Sequence, residues 1–343
     1  MKKIRVAING FGRIGRAFLK VARERQEIEI VGINDLGSVE NFAYLLKYDT
    51  AYGISNFDVT ADVAKNALVV DGITIPVTAE KDPTKLPWKA LNVDVVVEST
   101  GLFTSGDKAN AHIIAGAKRV VVSAPTKDEK DAKVKSEMVL MAMNENKMEG
   151  CPVTSNASCT TNAGSPLIAI LDEAIGIEKA LLNTVHAYTA SQAIVDGLSK
   201  KDFREGRAAA MNIVPSSTGA AIAVTKIMPH LAGKFDGISL RVPVVTGSIV
   251  DITFIAKRET TAEEVNAILK KAAADTRWAG IFTVTEDQLV SSDIVGNRHA
   301  SIADLAFTRV VGGNLVKVLG WYDNEMGYTY TLVDHVIKAG RLA

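Results

Sequence analysis

The sequence predicts an α/β protein of two domains, a parallel-sheet domain followed by an α+β domain with a mixed or antiparallel sheet. Three observations lead there. A chain of 343 residues is longer than one ordinary hydrophobic core serves. Its first 125 residues alternate short β-branched runs with helical stretches, the pattern of βαβ units. After Cys159 the strands lengthen and partly alternate apolar with polar residues, as in a sheet with one wet face.

In the first part, Ile4–Ala7 reads as a buried strand and Phe11–Glu24 as the helix that follows it. Ile28–Ile33 is a second strand ending at Asn34-Asp35. Val93–Val97 and Val120–Ser123 are short β-branched runs suited to burial on both faces, with a helix at Asp107–Gly116 between them. In the second part, Ala180–Tyr188, Ile238–Val245, Ser248–Ala256 and Leu315–Tyr322 read as strands. Helices near Ala163–Ala174, Gly219–Met228 and Thr261–Ala274 would pack on them, and a last helix runs from about Gly327 to Ala339. No repeat or low-complexity linker is visible, so the boundary near Cys159 rests on the change of pattern, and a site is expected between the domains.

Composition excludes several functions. Hydrophobic residues make up 47% and charged residues 23%, the profile of a globular protein. Lys+Arg and Asp+Glu both number 39, so bulk electrostatic binding to nucleic acid or membrane is not expected, and an anionic ligand must be held by local groups. Two cysteines, Cys151 and Cys159, form no disulfide framework and point to a reducing compartment. The start Met1–Val6 mimics a signal peptide until Asn9, Gly10, Gly12, Arg13 and Arg16 break the apolar run. No segment approaches the roughly 18 apolar residues of a spanning helix. Asn156-Ala157-Ser158 fits a glycosylation pattern that has no meaning in the cytosol.

VAINGFGRIGRAFLKVA sets G-x-G-x-x-G directly after a strand and at a helix start. Gly10 permits the tight turn, Gly12 lets backbone N–H groups approach a pyrophosphate, and Gly15 lets helix and strand pack closely. The helix N-terminus adds partial positive charge. Asp35 follows Gly15 by twenty residues, the spacing of a ribose partner. A glycine-rich turn of purely structural use is the plain alternative. Strand, helix and acid together favour a Rossmann-type dinucleotide site, with NAD preferred to NADP because a carboxylate repels a 2′-phosphate. Gly101–Lys108 nearly matches a triphosphate-binding loop, but Asp107 intrudes and no Ser or Thr follows Lys108, so that reading is rejected.

SNASCTTN wraps Cys159 in small polar residues ahead of an apolar helical run in which Pro166 suits the first turns. A thiol at a helix N-terminus should have a lowered pKa, and the hydroxyls and amides around it suit a polar substrate or an oxyanion. Cys159 thus reads as a nucleophile, and Cys151 as a buried core cysteine. A thiol wants a base. Of the five histidines, His112 and His335 fall in helical patterns and His230 and His299 in loops. His186 sits at a strand end beside Tyr188, Thr189, Ser191 and Gln192; a structural histidine is its alternative. In SSTGAA, Thr218 and Gly219 either hold a phosphate or merely cap a helix. Arg241, a charge amid apolar neighbours in ISLRVPVV, is either a surface residue or held for a bidentate anion contact.

INGFGRIGR, ASCTTN, HAYT, SSTGAA, LRVP and WYDNEMGY stand in the order and spacing of the phosphorylating glyceraldehyde-3-phosphate dehydrogenases, and the chain resembles that family over essentially its whole length. The resemblance implies that Cys159 attacks the substrate aldehyde, that His186 activates the thiol and moves protons, and that inorganic phosphate releases the thioester as an acyl phosphate. It places the substrate phosphate near Thr189 and Arg241, with Ser191 helping, and the attacking phosphate near Ser158, Thr160, Thr218 and Gly219. Cofactor contacts would fall on Asn9, Gly10, Gly12, Arg13, Ile14, Asp35, Lys81, Thr100, Ser123 and Asn324, the last fixing the carboxamide. The expected domains are residues 1–158 with 323–343, which bind NAD, and the catalytic residues 159–322. The family implies a cytoplasmic homotetramer, with the loop near Ala190–Arg207 reaching a neighbouring subunit, and no metal. Ile222 stands where many members have lysine, Ala163 where a second cysteine is common, and Glu205 where some have arginine, which puts the phosphate role of Arg204 in question. The closest alternative is erythrose-4-phosphate dehydrogenase. More distant ones are another cysteine-using semialdehyde dehydrogenase and a nucleotide-binding protein without catalysis.

Overall fold

The computed structural model describes residues 2–199 and 202–343. The reading of the N-terminus touches Met1 and that of the subunit-reaching loop touches Lys200 and Lys201, which lie outside the described residues. The chain divides into two compact units, residues 1–157 with 329–343, and residues 158–328. Residues 323–328 therefore stay with the second unit rather than the first. Two polar anchors hold them there: Asp323 accepts from the Gly296 N–H at 2.7 Å, and Asn324 accepts from the Ser248 hydroxyl at 2.9 Å.

The first unit opens with β1 (Ile4–Asn9), α1 (Arg13–Ala22), β2 (Ile28–Asn34) and α2 (Val39–Lys47). A small hairpin, β3 (Tyr48–Asp49) and β4 (Gly53–Ile54), precedes a meander of β5 (Val59–Asp62), β6 (Ala67–Val70) and β7 (Ile73–Thr78). Then come β8 (Val95–Glu98), α3 (Gly106–Ile114), β9 (Arg119–Val122), β10 (Glu137–Met138) and β11 (Val153–Ser155). The sheet runs in the order β10-β11-β9-β8-β1-β2-β7-β6-β5. It is parallel from β10 to β7 and antiparallel over β7-β6-β5. The four residues of β8 and of β9 are all buried, as strands covered on both faces should be.

The turn from β1 to α1 needs its glycines. Gly10 has φ of 95°, and a Cβ there would lie 2.7 Å from the Ser99 backbone. A Cβ on Gly15 would lie 2.1 Å from the Gly10 carbonyl oxygen, so helix and loop touch backbone to backbone.

The second unit holds α4 (Cys159–Ile175), β12 (Ile177–Ala187), β13 (Val214–Ser217), α5 (Ala220–Ile227), β14 (Phe235–Val242) and β15 (Ser248–Ala256). After them come α6 (Ala262–Ala273), β16 (Phe282–Thr285), β17 (Ser301–Val311) and β18 (Leu315–Tyr322), before α7 (Met326–Gly340) carries the chain back into the first unit. The sheet order is β13-β14-β12-β15-β18-β17-β16, a mixed sheet with parallel pairs at β12/β14 and β16/β17. β15 buries Ser248, Val250, Ile252, Phe254 and Ala256 and leaves the alternate residues half-buried, the period of one wetter face. α4 sits close on the sheet: a Cβ at Gly164 would meet the Leu182 side chain at 2.9 Å, and one at Gly320 would meet that of Leu167 at 2.6 Å.

Gly15→Ala is expected to destabilise the first unit by about 1–3 kcal/mol, because backbone oxygen cannot yield to the added methyl. Chemical unfolding of that variant should show a lower midpoint; an unchanged midpoint would show that the loop relaxes freely.

Candidate active site

α4 begins two residues after Ala157, whose φ of 54° turns the chain at a cost of order 1 kcal/mol for an alanine. Ser158 caps the helix, its Oγ accepting from the Thr161 N–H at 3.1 Å. Pro166 lies two turns inside α4, not in its first turn, so it withholds one helical N–H. The cap places Cys159 at the first helical position.

Cys159 meets His186, with Sγ 3.3 Å from Nε2. His186 is buried at the end of β12, and the parallel register of β12 and β14 sets it beside Arg241. Its Nδ1 lies 2.6 Å from the Ala187 carbonyl oxygen and 2.6 Å from the Arg241 guanidinium. These two contacts exclude each other, because the carbonyl only accepts and the guanidinium only donates. With the proton on Nδ1 the ring donates to Ala187, and Nε2 is open to take the thiol proton. With Nδ1 bare, the ring accepts from Arg241, and an Nε2–H faces the sulfur and would hold a thiolate.

The thiol is not depressed as the helix terminus suggested. Burial pushes it up, and the Arg241 charge and the donors of Thr160 offset only part of that. Cys159 keeps some surface as a residue, but its sulfur faces a buried ring. His186 is lowered to about 3, by burial first and the Arg241 charge second. The resting pair is therefore a thiol and a neutral imidazole, and the thiolate forms as the proton moves. Tyr322, the tyrosine that opens the WYDNEMGY motif after its tryptophan, supports the pair. Its hydroxyl bonds Thr160 at 3.0 Å and Thr184 at 2.8 Å, and its ring stands edge-on to His186 with centroids 6.0 Å apart.

Thr160 is buried with its hydroxyl on Tyr322, so only its backbone N–H belongs to the open helix turn. Thr189 and Ser191 share a hydrogen bond of 3.0 Å between hydroxyls, and the Gln192 amide oxygen accepts from the Thr189 N–H at 3.3 Å. Arg241 also approaches the Ala187 carbonyl at 3.3 Å. Thr218 accepts from the Ala220 N–H at 3.2 Å, and Gly219 beside it is exposed. Val214, at the other end of β13, pairs with Arg241. Arg204 is bound by Asp202 at 2.8 Å and Arg207 by Asp196 at 2.9 Å. Asn324 turns its amide oxygen to the Gly247 N–H and the Ser248 hydroxyl, which aims its NH2 end the other way. Cys151 is half-buried, with burial pushing its thiol up.

In the first unit, no side chain caps α1, and a Cβ on Gly12 would meet nothing within 4 Å. Gly12 thus leaves room for a ligand to approach the backbone at the positive end of a helix. The Arg13 side chain turns to Asp49 at 2.8 Å. Asp35 accepts from the Phe11 N–H at 2.6 Å and the Gly37 N–H at 3.2 Å, standing just past β2. Those groups fit a dinucleotide. Asn9 does not face it with its side chain: it is buried, accepting from Asn34 at 2.7 Å and donating to Glu98 at 2.6 Å. Thr100 and Ser123 are half-buried at the ends of β8 and β9, and Lys81 is exposed. In the rejected loop, Asp107 accepts from the Val134 N–H at 2.8 Å, a structural tie. Among the described residues no group of three or more His, Cys, Asp or Glu side chains is placed to hold a metal, and no helix is long and apolar enough to cross a membrane.

Comparison with known proteins agrees with these features. Residues 4–106 match the family described as glyceraldehyde 3-phosphate dehydrogenase, NAD binding domain, and residues 158–324 its C-terminal domain. The chain is 48% identical over 340 residues to glyceraldehyde-3-phosphate dehydrogenase 2 of Streptomyces avermitilis, covering 98% of each chain. It is 47% identical over 338 residues to glyceraldehyde-3-phosphate dehydrogenase of Borreliella burgdorferi, covering 96% of this chain and 98% of the relative. It is 46% identical over 334 residues to the cytosolic glyceraldehyde-3-phosphate dehydrogenase of Leishmania mexicana, covering 97% and 98%.

The histidine environment sets a pH dependence of stability. Burial holds both His186 and His335 at about 3, helped by Arg241 and Arg119 respectively. The unfolded chain protonates each near pH 6.5. Their contribution is thus complete above about pH 6.5 and is lost as the pH falls toward 3, by up to ~1.4 kcal/mol per pH unit for each. Unfolding measured from pH 7.5 to 4.5 should show this slope, and H335N should make it shallower; an equal slope in H335N would contradict the assignment.

Proposed function

Because the chain belongs to the glyceraldehyde 3-phosphate dehydrogenase family, we propose that the Cys159–His186 pair carries the NAD-dependent oxidation and phosphorylation of glyceraldehyde 3-phosphate to 1,3-bisphosphoglycerate. The chain is an NAD-dependent oxidoreductase of this family, and nothing in the site favours erythrose 4-phosphate. The observation that carries the assignment to this pair is the 3.3 Å approach of Sγ to the Nε2 of a buried, neutral imidazole.

In this reading Sγ attacks the aldehyde carbon as Nε2 takes the thiol proton and returns it to the carbonyl oxygen, giving a hemithioacetal. NAD, when bound, supplies the hydride acceptor. As the hemithioacetal carbon loses hydride, its hydroxyl proton passes to Nε2 and a thioester remains on Cys159. An oxygen of inorganic phosphate then attacks the acyl carbon, the C–S bond breaks, and the departing sulfur takes up the proton held on Nε2, which restores the thiol and the neutral imidazole.

Thr189, Ser191 and Arg241 would bind the substrate phosphate, since two hydroxyls and a guanidinium lie around the end of β12. Ser158 and the backbone of Thr160, at the positive end of α4, would receive the attacking phosphate. Thr218 and Gly219 are assigned to it on the family resemblance alone. The N–H groups of Gly12, Arg13 and Ile14 at α1, with Gly10 shaping the turn and Asn9 supporting it, would hold the coenzyme pyrophosphate. Asp35 would take a ribose hydroxyl; Lys81, Thr100, Ser123 and Asn324 would complete its contacts.

A homotetramer is part of the same proposal. Ile194, Val195, Leu198, Phe203 and Met211 are exposed apolar side chains along one segment, which suits burial against a neighbouring subunit. A cytoplasmic setting is supported by the two free cysteines.

Cys159→Ala is expected to abolish NADH formation from glyceraldehyde 3-phosphate and inorganic phosphate while NAD still binds by calorimetry; persisting turnover would remove the nucleophile. His186→Asn should slow the chemical step by roughly 10²–10⁴ in single-turnover absorbance measurements. A negligible change would reject the proton-transfer role.

A further inference from the structure

At the C-terminal edge of the first sheet, Asn34, Asn9 and Glu98 stand side by side in register on β2, β1 and β8. All three are buried, and Glu98 retains only 1% of its surface. Asn34 is locked by Glu80, whose backbone N–H donates to its oxygen at 2.9 Å and whose carbonyl accepts from its NH2 at 3.0 Å. That fixes Asn9, whose oxygen accepts from Asn34 and whose NH2 donates to Glu98 Oε2 at 2.6 Å. On the other side lies His112, with Nε2 2.9 Å from the same oxygen. The indole N–H of Trp88 donates to His112 Nδ1 at 3.1 Å. An indole only donates, so Nδ1 accepts and the ring proton sits on Nε2, pointing at Glu98. Glu98 Oε1 accepts from the Thr100 N–H at 2.9 Å and from the Thr100 hydroxyl. Both oxygens of Glu98 are therefore pure acceptors, each serving two donors.

We propose that Glu98 is the positioning residue of the coenzyme site, fixing Thr100 and the end of β1 before the Gly10–Gly12 turn through a donor set whose direction Trp88 enforces. The proposal rests on the reading that this edge binds NAD. The turn and the Ser99–Leu102 segment are already joined, the Ser99 hydroxyl donating to the Gly10 carbonyl at 2.7 Å. Glu98 anchors both from below without reaching the surface, so it acts on the coenzyme only through its neighbours.

Glu98→Gln tests this. The amide keeps the shape but brings an NH2 against either Asn9 and His112 or Thr100, and neither Asn34 nor Trp88 lets those partners reverse. The dissociation constant for NAD should rise roughly ten- to a hundredfold. The kcat at saturating NAD and the alkylation rate of Cys159 should change far less. Adding Trp88→Phe frees His112 to carry its proton on Nδ1 and to accept from the new amide. E98Q/W88F should therefore bind NAD more tightly than the product of the two single effects allows, and ¹⁵N NMR should show His112 changing tautomer. If E98Q binds NAD like the parent enzyme, Glu98 has no positioning role; if the double variant is additive with no tautomer change, the Trp88 lock is wrong. If E98Q does not fold, Thr100→Val removes one donor of the set and should raise the NAD dissociation constant severalfold; an unchanged value would overturn the proposal. Failure of the parent enzyme itself to bind NAD would sink the underlying reading instead.

Discussion

The contact between Cys159 and His186 is the constraint around which the second unit is arranged. It requires a helix start and a strand end to meet to within a hydrogen bond. The Ser158 cap fixes the first, and the pairing of β12 with β14 on one side and β15 on the other fixes the second. Gly164 and Gly320 let α4 lie close enough on the sheet for the two to meet. The Tyr322 hydroxyl then ties the base of α4 to β12 through Thr160 and Thr184. Packing of this kind leaves the sulfur little freedom to move, which is what an attacking group needs.

Burial has an electrostatic consequence at the same point. An exposed imidazole would be partly protonated in the cell, but this one is neutral, and among the described residues the fixed charge touching it belongs to Arg241. The arginine thus has two roles open to it, one toward a phosphate and one toward the histidine ring. A group that withdrew the guanidinium from Nδ1 would return the ring to its bond with Ala187, leaving Nε2 as an acceptor facing the thiol.

Much of this was legible in the residues. The G-x-G-x-x-G turn, the strand end at Asn34, and the bounds of β15 and β18 follow from periodicity and glycine placement. The β5–β7 meander was not read, because runs such as Ala67–Val70 are too short to show alternation. β17 was missed as well, its first five residues all being buried so that no period appears. Cys159 was recognised from its polar neighbours, but the direction of its shift was not, since helix position is local and burial depends on which strands lie over the sulfur. Asn9 is a coenzyme contact only by the family resemblance, and sequence does not show that its side chain is engaged by Asn34 and Glu98. Glu98 offered one signal, a carboxylate ending a run of valines, which only a buried partner makes tolerable.

The first turn of α1 presents peptide N–H groups, and the side chains of the two arginines in it are engaged, Arg13 with Asp49 and Arg16 with the Phe11 carbonyl. A cradle of peptide dipoles exerts almost no pull beyond a few ångströms, whereas a cluster of lysines would reach out across a Debye length. Coenzyme would thus arrive by unassisted diffusion, and its capture should be nearly indifferent to ionic strength: selection occurs on contact and not during approach.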